Sequence, residues 1–195
     1  MRSISRCVAV ATLIAVPVTA RPQASPAQRP QRAPVWATLS AGRGDLQVNC
    51  GICRSNDQSS WAADVAVGGW VGTRTTLGGE LGAWRLGGDE ATQRVMMVSA
   101  VSQLYPMSKV PAFVKLGLGM MSYRSTDDEQ SLSARSLALH AGFGIDIPVR
   151  HRYIAVPYAT LVQGLNNGLY LDGDRVTGAS QVKLLRFGLG VGVGR

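Results

Sequence analysis

Two histidines and three cysteines in 195 residues leave little material for metal or redox chemistry. A structural zinc site needs four nitrogen or sulfur ligands. The chain can offer only Cys50 and Cys53 in "NCGIC", with His140 and His151 far downstream and no H-x-x-x-H spacing, so no metal or other cofactor is expected. Charge is scarce as well: Asp, Glu, Lys and Arg make up 16% of the chain, against about 25% in ordinary globular proteins. The net charge of +8 is also misleading, because five of the 20 basic residues, Arg2, Arg6, Arg21, Arg29 and Arg32, precede Pro34 and leave 15 against 12 acidic residues after it. No basic stripe is visible in what remains, and nucleic acid is not an expected partner. The apolar run Cys7–Val16 is shorter than the roughly 20 residues a membrane-crossing helix needs.

That run has another use. Arg2 and Arg6 precede it and the small residues of "VTA" follow it, the layout of a secretory signal peptide over residues 1–20. Cleavage is expected after Ala20, with Ala27 as the competing position. Cys7 lies before the apolar run rather than after it, which argues against a lipid anchor. Residues 21–33, "RPQASPAQRPQRA", are a Pro/Gln/Arg lead-in that cannot build a core. Export places Cys50 and Cys53 in an oxidising compartment, where a disulfide between them is favoured. A zinc half-site and a thioredoxin-like redox pair are the other readings, but the second requires a helix opening at the pair, and nothing around it is helical.

From Val35 onward the apolar period is two. In "SWAADVAVGGWVG", Trp61, Ala63, Val65, Val67 and Val71 share one face, and Ala62, Asp64, Ala66, Gly68 and Trp70 share the other. Eight such segments can be drawn, at about 35–46, 60–72, 75–86, 93–105, 111–123, 135–148, 152–164 and 181–194. Each reaches the roughly 9–11 residues of a tilted transmembrane strand. Their connections alternate between short turns near Arg74, Met107 and Arg150 and longer polar loops. That asymmetry is the mark of an outer-membrane barrel. The expected fold is all-β, an eight-stranded antiparallel up-and-down transmembrane β-barrel over residues 34–195, in which one copy of the chain closes the barrel by itself.

A soluble barrel would also alternate, but its outer face should carry abundant Lys, Glu, Thr and Ser. Here the less apolar face is mainly Gly and Ala with isolated charges: Asp64, Glu80, Lys115, His140, Asp146 and Arg186. Such a face suits the cramped interior of an eight-stranded barrel. Glu80 or Asp64 is expected to pair there with Lys115 or Arg186, since buried charges need partners. Trp36, Trp61, Trp70, Trp84, Tyr105, Tyr123 and Tyr153 lie near segment ends and are expected to form girdles at the two membrane interfaces.

The signal peptide, the Pro/Gln lead-in, "SAGRG" in the first segment, the "CGIC" loop and the eight alternating segments together resemble the small outer-membrane β-barrel proteins of Gram-negative bacteria, the broad OmpA/OmpW-like group. The resemblance implies residence in the outer membrane after export through the inner membrane, and handling by the barrel-assembly machinery. Surface polysaccharide or a small apolar ligand are the partners such a barrel would meet. Barrels resembling lipid-A-modifying enzymes pair a Ser with a His, whereas His140 leads into "AGFG" with no serine two residues on, so no catalytic residue is assigned. Asp172 and Asp174 in "LDGDRVTG" lack the further acidic ligands of a calcium loop and read as turn chemistry. The leading function is a non-enzymatic structural or small-ligand-handling barrel with four external loops. The alternatives are a narrow solute channel and a soluble periplasmic carrier of an apolar ligand.

Overall fold

The computed structural model describes residues 35–50, 58–87, 92–107, 109–126, 131–150, 152–171 and 174–194. Nine antiparallel strands run in chain order: β1 (Val35–Cys50), β2 (Gln58–Trp70), β3 (Thr75–Gly87), β4 (Thr92–Leu104), β5 (Ala112–Thr126), β6 (Ser131–Ile145), β7 (Ile147–Arg150), β8 (Tyr153–Leu171) and β9 (Asp174–Val193). Each pairs with its sequence neighbour except across the β6/β7 break. β1 also pairs with β9, and β6 with β8, which closes the sheet. β6 and β7 are two parts of one stave interrupted at Asp146, whose amide still donates to the Pro111 carbonyl at 2.9 Å. The result is a closed eight-stave, up-and-down β-barrel. The connections that follow β2, β4 and β7 mark one end, called here the turn end, and the other is the loop end.

Alternation sorts the residues as the pattern predicts, with period two carrying every other side chain inward. Along β2 the inward Ala62, Asp64 and Ala66 are buried while Trp61, Ala63, Val65 and Val67 are exposed. Leu39, Leu81, Val98, Leu116, Leu137 and Leu189 likewise stand on the outside, Leu116 with 59% of its surface exposed.

Two expectations need correcting. The first concerns residues 165–180, read as a long loop from their Asn, Gly and Asp content. β8 and β9 instead continue as a paired ribbon to Leu171 and Asp174, with register irregularities between Gln163 and Tyr170. Cross-strand backbone hydrogen bonds hold such a ribbon whatever its side-chain polarity, and the bulges take up the extra residues. The second concerns the aromatics. Trp36, Trp84, Tyr105 and Tyr123 are buried in the barrel and Trp70 is half-buried, leaving only Trp61 and Tyr153 of the predicted girdle residues exposed on the outer face. Parity along the strand decides this, because a residue near a strand end still points inward when it shares the register of inward neighbours.

The interior aromatics therefore pack into two layers inside the barrel. Toward the turn end, Tyr105, Phe113, Ile154 and Val156 cluster with Trp70. Toward the loop end, Leu46, Trp84, Val95, Met97, Tyr123, Val162 and Leu184 form a larger apolar layer, anchored by a 2.8 Å hydrogen bond from Trp84 Nε1 to the Gly44 carbonyl. Glycine is required where a ring lies flat on the sheet: Gly68 and Gly78 face each other across β2 and β3, and a Cβ at Gly68 would come within 2.8 Å of Trp36 Cζ2 as well as striking the Leu77 carbonyl. Gly68→Val should therefore lower stability by about 1–3 kcal/mol through overpacking. Gly79→Ala, whose added carbon meets only the Ser99 carbonyl at 3.9 Å, should shift the urea midpoint far less, and equal shifts would show that the Trp36 shelf is not what the glycines serve.

The side chain of Cys50, all of Cys53 and residues 1–34 lie outside the described residues.

Candidate functional site

Between the two apolar layers lies a polar one to which all eight staves contribute a long or hydrogen-bonding side chain, β1 through Ser40, which hydrogen-bonds Asp64. Asp64 comes from β2, Glu80 from β3, Ser99 from β4, Lys115 from β5, His140 from β6, Tyr158 from β8 and Arg186 from β9. Strand alternation aims all of them inward, and glycines opposite them make the room. Gly82 faces Asp64, Gly142 faces Lys115 and Gly117 faces His140. A Cβ at Gly82 would sit 2.9 Å from Arg186 Nη1. The glycine content of the strands is thus the space in which the charges meet.

Arg186, with no exposed surface, is the hub. Its Nη1 donates to Asp64 Oδ1 at 3.0 Å and its Nη2 to Glu80 Oε1 at 2.8 Å. Lys115 Nζ donates to the other Glu80 oxygen at 2.8 Å and stands 5.8 Å from the Tyr158 ring centroid, within the range of a cation–π contact. The Tyr158 hydroxyl donates to Asp64 at 3.2 Å. Two carboxylates and two cations close on each other, so each charge faces a partner of opposite sign.

His140 joins from the side, with Nε2 2.8 Å from Ser99 Oγ and Nδ1 3.9 Å from Glu80 Oε1. Serine, imidazole and carboxylate in that order outline a nucleophile, a base and an orienting acid. The outline is geometrically incomplete. Nδ1 has no hydrogen-bond partner among the described residues, the Glu80 oxygen it faces is already held by Arg186, and Ser99 is buried inside the barrel.

Of the six interior charges expected from the sequence, the structure brings five together. Asp146 stands apart near the turn end, where its Oδ2 accepts a 2.7 Å hydrogen bond from the Tyr105 hydroxyl. Tyr105 was expected in the outer girdle, and Ser99 and Tyr158 were not singled out from the sequence. Their inward parity was readable, but which cross-barrel partner each one reaches depends on the register of strands far apart in the chain.

No protein-family model matches the sequence, and no curated protein does. Solved structures do resemble it. Neisserial surface protein A (NspA) aligns with a TM-score of 0.59 at 9% identity, over 84% of this chain and 98% of that one. Ail, the attachment invasion locus protein of Yersinia pestis, aligns with a TM-score of 0.52 at 14% identity, over 80% of this chain and 97% of that one. A second structure of Ail, in complex with the heparin analogue sucrose octasulfate, gives 0.53 at 14% identity, over 81% and 98%. At these identities the likeness is one of fold, and the chain shares its closed eight-stranded barrel with these small outer-membrane barrels.

Proposed function

We propose that the chain is an outer-membrane protein whose barrel is a filled, non-conducting anchor that presents its loop end to the outside. The observation that carries this reading is the reversed polarity of the barrel wall. All eight staves expose aliphatic or aromatic side chains over their middle portions, among them Leu39, Val65, Leu81, Val98, Leu118, Leu139, Leu161 and Leu189, while the ionic cluster is inside. Soluble monomers rarely expose contiguous apolar surface beyond a few hundred Å², and a lipid bilayer is the solvent in which this wall is stable.

The interior supports an anchor over a channel. An apolar layer, a charge-paired layer and an aromatic layer follow one another along the axis. A carrier of apolar ligands would need its apolar volume empty, and a channel would need its charges facing water, whereas here each is filled or paired by the chain itself. The ionic cluster acts as a lock that ties β2, β3, β5 and β9 together across the lumen.

The refolded protein is expected to migrate differently before and after heating in mild detergent, to partition with the membrane fraction, and to give no discrete conductance steps in planar bilayers. Reproducible unitary conductance would overturn the filled anchor, and recovery in the soluble fraction would overturn the membrane assignment.

A further inference from the structure

We propose that the outer wall carries, at its loop end, a basic collar that holds phosphate-bearing lipid headgroups, centred on Arg85, Arg94 and Arg124. The proposal rests on the membrane reading above. The outward series of β3, Leu77, Gly79, Leu81 and Ala83, ends at Arg85; that of β4, read from the turn end, passes through Val98 and Met96 to Arg94; that of β5 passes through Leu118 and Met120 to Ser122 and Arg124. Arg43 on β1, Arg135 on β6 and Lys183 on β9 stand at the same transition on their staves. At the turn end the outward series finish instead in Val35, Leu77, Leu104, Val114, Ile145 and Val193, with the basic residues Arg74, Lys109, Arg150 and Arg152 confined to the turns or the last residue of β7.

Register makes the centre of the collar unusual. Arg85 lies directly opposite Arg94, and Arg94 directly opposite Arg124, so three exposed guanidinium groups sit on consecutive staves at one height. Like charges directly opposite on a sheet repel. Among the described residues no carboxylate pairs with any of the three. An anion bound between them removes the repulsion, and guanidinium forks suit phosphate because each can donate two parallel hydrogen bonds to it.

The shape between them fits a lipid rather than a free ion. Arg85, Thr92, Arg94, Met96, Arg124 and Thr126 line a shallow concavity of about 510 Å³. Its arginines and threonines offer donors to phosphate and sugar oxygens, and Met96 continues on the membrane side into the exposed Val98 and Met120. A ligand with an anionic head and acyl chains running down the wall satisfies both parts at once. A sulfated polysaccharide or inorganic phosphate would use only the first.

The test uses the full chain refolded into phosphatidylcholine vesicles containing diphosphorylated lipid A, with insertion checked by heat-dependent migration and bound lipid counted by native mass spectrometry. Wild type should retain diphosphorylated lipid A over dephosphorylated lipid A by about ten-fold or more, as expected for losing charge-assisted hydrogen bonds. Arg85→Gln with Arg94→Gln and Arg124→Gln should abolish that preference, Arg-to-Lys changes at the same positions should keep part of it, and Arg74→Gln with Arg150→Gln and Arg152→Gln should leave it intact. Asp89, Glu90, Asp127, Asp128 and Glu129 adjoin the arginines in sequence; if those carboxylates already neutralise the row, the Gln variant will insert and retain lipid as wild type does, which overturns the collar and leaves the membrane reading standing. Displacement of the lipid by millimolar inorganic phosphate, or tighter binding of a sulfated polysaccharide than of the lipid, would overturn it as well. Wild type that fails to insert would take down the membrane reading and the collar with it.

Discussion

Arg186→Met is expected to be the most damaging conservative-volume change in the barrel, lowering its stability by about 3–5 kcal/mol, the cost of stripping one partner from a buried ion pair. The reason lies in what the substitution leaves behind. Glu80 keeps Lys115 at 2.8 Å, but Asp64 loses its 3.0 Å contact with Arg186 and retains only hydroxyl donors, Tyr158 at 3.2 Å and Ser40. A carboxylate held by neutral donors alone in a closed interior is poorly compensated. The double variant Arg186→Met with Asp64→Asn should therefore recover most of the loss, because asparagine can still accept from Tyr158 and carries no charge. Urea midpoints of the refolded single and double variants check this. If Arg186→Met unfolds at the same denaturant concentration as wild type, the ionic cluster is not what holds the lumen.

Legibility in the sequence followed the physics of the strand. Period-two alternation is local, so the assignment of Asp64, Glu80, Lys115, His140, Asp146 and Arg186 to one face, and of Leu116 and Phe143 to the other, could be read from a few residues at a time. The starts of β1, β3 and β8 and the ends of β2 and β4 fell within two residues of expectation for the same reason. What required the three-dimensional register could not be read. Which acid meets which base, and that His140 reaches Ser99, depend on pairings 35 to 122 residues apart. The arginine row is a sharper case: Arg85, Arg94 and Arg124 are separated along the chain and show no stripe there, and only the opposition of three staves brings them to one height. Polarity misled at β8 and β9, where Asn and Gly were taken as loop chemistry although the paired ribbon continues. Proximity to a strand end misled for Trp36 and Trp84, where parity, and not depth, set the direction of the ring.

In the proposed anchor, the filled lumen and the apolar wall depend on each other. Eight staves enclose a space that side chains can fill without a ligand, so the ions inside are neutralised by the chain and the outer face is left to the solvent around the barrel. The identity of that solvent is what the second large prediction tests. Leu116, 59% exposed, lies near the middle of the outward apolar series of β5, which runs from Val114 to Met120. Leu116→Arg should cost about 2–4 kcal/mol in lipid, as for a cation near the bilayer midplane. Phe143 is also exposed, but it pairs with Val114 at the turn-end margin of that series, and Phe143→Arg should cost less because the penalty falls toward about 0–1 kcal/mol at the interfaces. Gly117→Arg points the other way. A Cβ there would stand 2.9 Å from Val101 Cγ1 and 3.3 Å from His140 Cβ, so its damage comes from crowding and should persist in detergent, with Gly117→Leu nearly as harmful as Gly117→Arg. Unfolding measured for the four variants in lipid bilayers separates these causes. In a soluble barrel Arg at position 116 would sit in water at almost no cost, and a Leu116→Arg variant as stable as wild type would mean that the wall faces water and that the membrane assignment is wrong.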